Sequence, residues 1–276
     1  MKIKLVADSS ANRKEFYGMD FCSVPLKVLV GEKEYVDDST LDMAEMMAAL
    51  RGYKGKSSTA CPSVQDWLAA FGDADLVLGV AITSGLSGCY NSARIAAEEY
   101  MEAHPGAKVY IHDSLSTGPE MELILEKYRE LLEQGKGFEE ICEEVKAYSA
   151  KTHLLFSLES LENFAKNGRV SPAVAAAVGF LGIRIVGRAS AEGTLEPMHK
   201  CRGEKKALQQ LLTTMKELGF RGGKVRITHT YNENAANSLA ELIAGEYPNC
   251  DLTISGNNGL CGYYTEEGGL LVGFEG

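Results

Sequence analysis

The sequence predicts an α/β protein of two domains, a parallel, doubly wound sheet in residues 1–150 and a mixed α/β sheet in residues 151–276. Two observations carry this expectation. In the first half, short apolar runs alternate with amphipathic stretches, and each run ends in a turn rich in small or hydroxyl residues, the grammar of a parallel sheet. In the second half, Glu192-Gly193 separates two strand-like segments, a hairpin signal that a purely parallel sheet does not carry.

Taken in order, Ile3 to Ala7 is an apolar strand ending at Asp8-Ser9-Ser10, and Phe21 to Val30 reads as a second strand turning at Gly31 into Tyr35-Val36. Thr40 caps a helix through Leu50, with Leu41, Met43, Met46, Met47 and Leu50 forming its apolar stripe. Ser63 caps the next helix, which carries Val64, Trp67, Leu68 and Phe71. Leu76 to Ile82 is almost wholly apolar, as a strand covered on both faces must be. The turn Thr83-Ser84-Gly85-Leu86-Ser87-Gly88 leads to a helix over Tyr90 to His104, then a strand from Lys108 to His112 that ends at Asp113-Ser114. Helical patterns cover Thr117 to Gln134 and Phe138 to Lys151.

Beyond Ala150 the rhythm changes. A strand at His153 to Leu158 precedes a helix at Leu161 to Asn167 stopped by Gly168, and Pro172 opens a small-residue helix over Ala173 to Val178. Strands Arg184–Ala189 and Thr194–Lys200 flank the hairpin turn. Helices at Glu204–Leu218 and Glu233–Tyr247 then alternate with strands Val225–His229, Leu252–Ser255 and Leu270–Phe274.

Composition narrows the function. A net charge of -10 argues against nucleic acid, whose affinity comes from neutralising phosphates, and against an anionic membrane surface. The apolar runs are too short to span a bilayer, and the first residues do not read as a signal peptide. Seven cysteines, an odd number with no C-x-x-C pair, suggest free thiols in a reducing cytoplasm and neither a metal site nor a redox pair. No cofactor motif is present: Gly55-Lys56-Ser57 lacks the first glycine of a phosphate-binding loop, since Leu50 holds that place.

Three strand ends in the first half carry acidic or hydroxyl groups where ligands of open α/β sheets bind. The Gly85/Gly88 turn offers backbone N–H groups at a helix N-terminus beside the hydroxyls of Ser84 and Ser87, an anion-binding arrangement, although Ser and Gly also simply build tight turns. Ser87 as a nucleophile, with His229 as base, is the competing enzymatic reading. Gly85-Leu86-Ser87-Gly88-Cys89 lacks the last glycine of the nucleophile elbow, so no catalytic residue is assigned. The basic stretch from His199 to Lys206 is a solvated face or a patch for an acidic partner.

Together, Val6-Ala7-Asp8-Ser9-Ser10, Thr59-Ala60-Cys61-Pro62-Ser63, Thr83 to Tyr90, Asp113-Ser114 and Asn167-Gly168-Arg169-Val170-Ser171 resemble the DegV family of bacterial fatty-acid-binding proteins over nearly the whole chain. The resemblance implies two α/β domains with an acyl chain between them and the carboxylate held by Thr59 and Ser87. It also implies a carrier without chemistry of its own, which presents the fatty acid to a separate ATP-dependent kinase that makes an acyl-phosphate for phospholipid synthesis. Arg169 matches the arginine that the resemblance assigns to phosphoryl transfer or partner contact. In the C-terminal motif, Gly262 to Gly269, Tyr264 stands where the family has a histidine and Glu266 where it has a glycine; in a separate Arg-Thr pair, Gly203 stands where it has the threonine. Thr59, Ser84 and Ser87 are expected to meet at the domain interface, with Tyr264 near the ligand's polar end. The small-residue stretch after Pro172 is read as leaving a tunnel open for the tail. The alternative to a fatty acid is another small anionic or polar ligand.

Overall fold

The computed structural model describes residues 1–16, 18–171, 174 and 182–276. In the first half the strands are β1 (Ile3–Asp8), β2 (Phe21–Val24), β3 (Lys27–Val30), β4 (Lys33–Val36), β5 (Ser58–Ala60), β6 (Leu76–Ala81) and β7 (Lys108–Asp113). Four of them form a wholly parallel sheet in the order β2-β1-β6-β7. Every residue of β6 is buried, as its unbroken apolar run requires. Helices α1 (Met43–Gly52), α2 (Val64–Phe71), α3 (Cys89–Ala103), α4 (Pro119–Glu133) and α5 (Phe138–Ser149) connect the strands. Of these, α2 and α3 pack on each other, as do α4 and α5, and both pairs fill the core around Leu5, Val77 and Leu78.

The expected strand from Phe21 to Val30 is two strands. Pro25 has no N–H to give a ladder and restricts the residue before it, so the chain leaves the parallel sheet there. Beyond it, β3 pairs antiparallel with β4 and with β5, the latter through Val28 opposite Thr59. The strand β5 lies in a segment of hydroxyl and small residues with no apolar alternation to reveal it. Thr40 does not cap α1; its amide and hydroxyl bond Asp38, and Asp42 accepts from the Glu45 amide at 3.0 Å instead. Ser63 caps α2 as expected, in a reciprocal box with Asp66.

The second half holds β8 (Thr152–Leu158), β9 (Ile183–Ala189), β10 (Leu195–Arg202), β11 (Lys224–His229), β12 (Asp251–Gly256) and β13 (Leu270–Glu275), in the order β10-β9-β8-β13-β11-β12. Only β11 and β12 pair in parallel, joined by helix Glu233–Glu246; the remaining neighbours are antiparallel, so the sheet is mixed. Among the described residues the helices here include α6 (Glu162–Lys166), α7 (Glu204–Glu217), α8 (Glu233–Glu246) and α9 (Gly259–Thr265). Gly193 turns the β9–β10 hairpin with φ of 70°. The expected helix over Ala173 to Val178, and the tunnel reading attached to it, lie outside the described residues. Among the described residues no helix is long and apolar enough to cross a membrane.

The two sheets are tied through α4, which packs against β6, β8, β11 and β13. Tyr128 on this helix donates to the Gly79 carbonyl at 3.0 Å, while Glu126 receives two hydrogen bonds of 2.8 Å from the buried Arg226 on β11. Burial alone raises the Glu126 carboxyl, but Arg226 and Lys224 bring it below the usual carboxylate range.

Candidate functional site

Between the sheets lies a cleft with about 810 Å³ of atom-free space, its mouth included. Apolar side chains dominate its walls: Phe156, Leu158 and Leu271 from the mixed sheet, with Leu26, Ile82 and Leu260 facing them. Thr59, Ser87, Arg169 and Tyr264 also line it; Thr59 and Tyr264 share a hydrogen bond, and Arg169 bonds the residue before Ser87.

Each of these four is placed by its element. Thr59 is the central residue of β5, held by pairing with Val28. Tyr264 sits in the last turn of α9, whose N-terminus is fastened to the first half by Asp37: the buried carboxylate accepts from the Gly259 and Leu260 amides at 2.8 and 2.9 Å. The hydroxyls of Thr59 and Tyr264 are 2.9 Å apart, and the Tyr264 ring lies against Phe164 with centroids 4.7 Å apart. Burial pushes the Tyr264 phenol up, opposed by the Thr59 hydrogen bond and the Arg169 charge, so it stays neutral near pH 7.

Ser87 precedes α3 and its oxygen accepts from the Cys89 amide at 3.2 Å, which leaves its own O–H free to donate. The turn that carries it is pressed against the β9–β10 hairpin, where a Cβ on Gly85 would stand 2.5 Å from the Glu192 carbonyl oxygen. Thr83 fixes this contact by donating to the Gly193 carbonyl at 2.7 Å. Arg169 follows α6 across the left-handed Gly168, and its Nε donates to the Leu86 carbonyl at 3.2 Å, beside Ser87. The cluster thus presents free hydroxyl donors and a guanidinium to whatever polar group enters that end. Whichever of Thr59 and Tyr264 donates to the other, one O–H of the pair remains available.

Ser84 is not part of this cluster. Its amide donates to Asp113 at 3.1 Å, which turns the residue to the exposed side of the loop, outside the cleft lining. The other two strand ends are spent on the fold. Asp8 is fully buried and accepts from the Ile82 amide at 2.6 Å and the Cys89 thiol at 3.4 Å, holding β1 to β6 and α3. Asp113 caps its own turn through the amides of Ser84 and Leu115. His229, the candidate base for Ser87, lies outside the cleft lining and accepts from the Asn232 amide at 3.3 Å. Among the described residues no group of His, Cys, Asp or Glu is arranged to hold a metal ion.

Sequence reading missed the support beneath Tyr264. Tyr263 is fully buried, its hydroxyl 2.8 Å from both Ser57 and Asn167, and its carbonyl accepts from Asn163 at 2.8 Å. The only signal for this was the adjacency of two tyrosines in a glycine-rich segment.

The sequence and architecture match known proteins over nearly the whole chain. The sequence model described as an uncharacterised protein of the DegV family covers residues 2–275. The chain belongs to the DegV family. A DegV domain-containing protein of Streptococcus pneumoniae strain R6 is 41% identical over 279 residues, covering 100% of this chain and 99% of that protein. A solved DegV family protein from Eubacterium eligens, loaded with heptadecanoic acid, is 47% identical with a TM-score of 0.97 and 99% coverage of both chains. The Streptococcus pneumoniae Fatty Acid Kinase (Fak) B3 protein, solved with linoleic acid, is 41% identical, also with a TM-score of 0.97, covering 100% of this chain and 99% of that one. These DegV neighbours therefore bind fatty acids.

Proposed function

We propose that this DegV chain binds a long-chain fatty acid, tail in the apolar cleft and carboxylate at Thr59, Ser87 and Tyr264. As a carrier it presents that carboxylate to a separate ATP-dependent kinase for acyl-phosphate formation in phospholipid synthesis. The observation that carries the reading is a cleft whose walls are largely apolar and into which Thr59, Ser87, Arg169 and Tyr264 bring hydroxyls and a guanidinium. A tail gains about 0.8 kcal/mol per buried CH₂, so a chain of ordinary length binds tightly without a full ion pair at the head. The donors then fix orientation rather than supply most of the affinity. Arg169, the cation of the cluster, is proposed as the contact for the transferred phosphoryl group or the kinase surface. The Fak B3 neighbour supports the kinase partnership. The same proposal divides the chain near Ala150, before the first strand of the mixed sheet.

Calorimetry with a long-chain fatty acid tests the head-group assignment. Charge-assisted hydrogen bonds contribute roughly 1.5–3 kcal/mol. Thr59→Val and Ser87→Ala are each expected to weaken binding by about tenfold to a hundredfold. Unchanged affinity in both variants overturns the assignment.

A further inference from the structure

Two adjacent tyrosines of α9 reach the same extended segment of the first half. Tyr264 meets Thr59, and Tyr263 meets Ser57, two residues earlier, with its hydroxyl 2.8 Å from the serine oxygen. The two rings stand edge to face, their centroids 4.9 Å apart. Tyr263 does not line the cleft; its ring is fully buried in the apolar cluster of Val28, Tyr35, Met46 and Met47. Packing of that kind asks only for a ring. The buried hydroxyl costs stability unless it is bonded, and it has two partners on separate segments.

The second partner leads to Arg169. Asn167 Nδ2 donates to the Tyr263 hydroxyl at 2.8 Å and to the Asn163 carbonyl, also at 2.8 Å, so both hydrogens of its side-chain amide are committed. Gly168 then turns the chain back with φ of 72°, a conformation open to glycine. Across this turn the Asn167 carbonyl accepts from Arg169 Nη1, while Arg169 Nε donates to the Leu86 carbonyl at 3.2 Å. The guanidinium is thus held between the turn that Tyr263 anchors and the residue before Ser87.

Resting on the carrier reading above, we propose that Tyr263 is a positioning residue for head-group recognition. Its hydroxyl ties the Asn167–Gly168 turn to the Thr59 segment and so holds the Arg169 guanidinium beside Ser87, where the charge favours an ionised carboxylate. An arginine side chain gives up much rotamer freedom when it is fixed. With the link in place that loss is taken during folding rather than on binding, which is what pre-organisation contributes to affinity. Arg169 already acts at this end of the cleft: its charge opposes the rise that burial imposes on the Tyr264 phenol.

The test compares hexadecanoic acid with hexadecanamide, which has the same tail and nearly the same head outline without the charge, on the full-length protein near pH 8. The quantity read is the ratio of the two affinities, acid over amide, which a general loss of tail binding leaves unchanged. Arg169→Gln is expected to lower it by about tenfold. Tyr263→Phe keeps the ring, and Asn167→Ala breaks the same link from its other side; each is expected to lower the ratio by about threefold to tenfold. Adding Tyr263→Phe to Arg169→Gln should lower it no further, because the hydroxyl acts only through the guanidinium. A ratio unchanged in Arg169→Gln, or unchanged in both Tyr263→Phe and Asn167→Ala, overturns the inference while leaving the carrier reading intact. So does a further fall in the double variant. A native protein that binds neither compound overturns the carrier reading, and this inference with it.

Discussion

In the proposed carrier, Tyr264 puts a neutral phenol at the head-group end of the cleft. A histidine there would titrate near neutrality; a phenol raised by burial does not, and no histidine lines the acyl cleft among the described residues. Fatty-acid affinity is therefore expected to stay flat between pH 5.5 and 8. In Tyr264→His the protonated imidazole favours the ionised carboxylate, so binding should tighten at the acidic end and weaken as pH rises through the imidazole pKa. Affinities of the two proteins at both pH values check this, and superimposable profiles contradict it. Thr59 and Ser87 were picked out in the sequence by the family motifs that contain them, and both line the cleft. Ser84 was picked out with them but lies exposed on the turn, outside that lining, and its amide bond to Asp113 is one that no sequence rule reports.

At the scale of elements, the strongest local signals were the ones that needed no partner. The apolar run of β6 and the Ser63 cap of α2 are properties of a few consecutive residues, and both appear as expected. Ser63 accepts from the Asp66 amide at 3.2 Å and Asp66 returns a 2.8 Å acceptance from the Ser63 amide. Ser63→Ala is expected to destabilise the protein by about 1 kcal/mol, measured as a shift in the urea midpoint with the slope unchanged. Elements that exist only through pairing were hidden. The segment Ser58–Ala60 is a strand because β3 lies beside it, and α9 is held because Asp37, more than two hundred residues earlier, accepts its first amides.

Across the whole molecule, the two sheets are joined by a helix that carries buried acids, and their titration reports on that junction. Glu120, at the start of α4, is buried and accepts from Thr152 at 2.7 Å; burial pushes its pKa up to about 7. The folded state thus holds this proton more tightly than the unfolded chain does. Stability from this residue falls as pH rises from about 4.5 to 7, and the cost is fully present above that window. Glu120→Gln, which keeps the acceptor for Thr152, should remove the dependence. Relative to the native protein it should gain on the order of 2–3 kcal/mol between pH 5 and pH 8. Denaturant unfolding at the two pH values measures it, and parallel curves contradict it.

The parallel and the mixed sheet were legible from strand–helix alternation and one hairpin, the small antiparallel sheet of β3, β4 and β5 was not, and the cleft arises from residues brought together from both ends of the chain. Its proposed content is the central claim, and native mass spectrometry of the protein purified from bacteria tests it most directly. The expected spectrum shows the chain with one added mass of a long-chain fatty acid, lost on denaturation and reduced in a Thr59→Val, Ser87→Ala double variant. A native protein at the mass of the bare chain, which also takes up no fatty acid when incubated with it, contradicts the account.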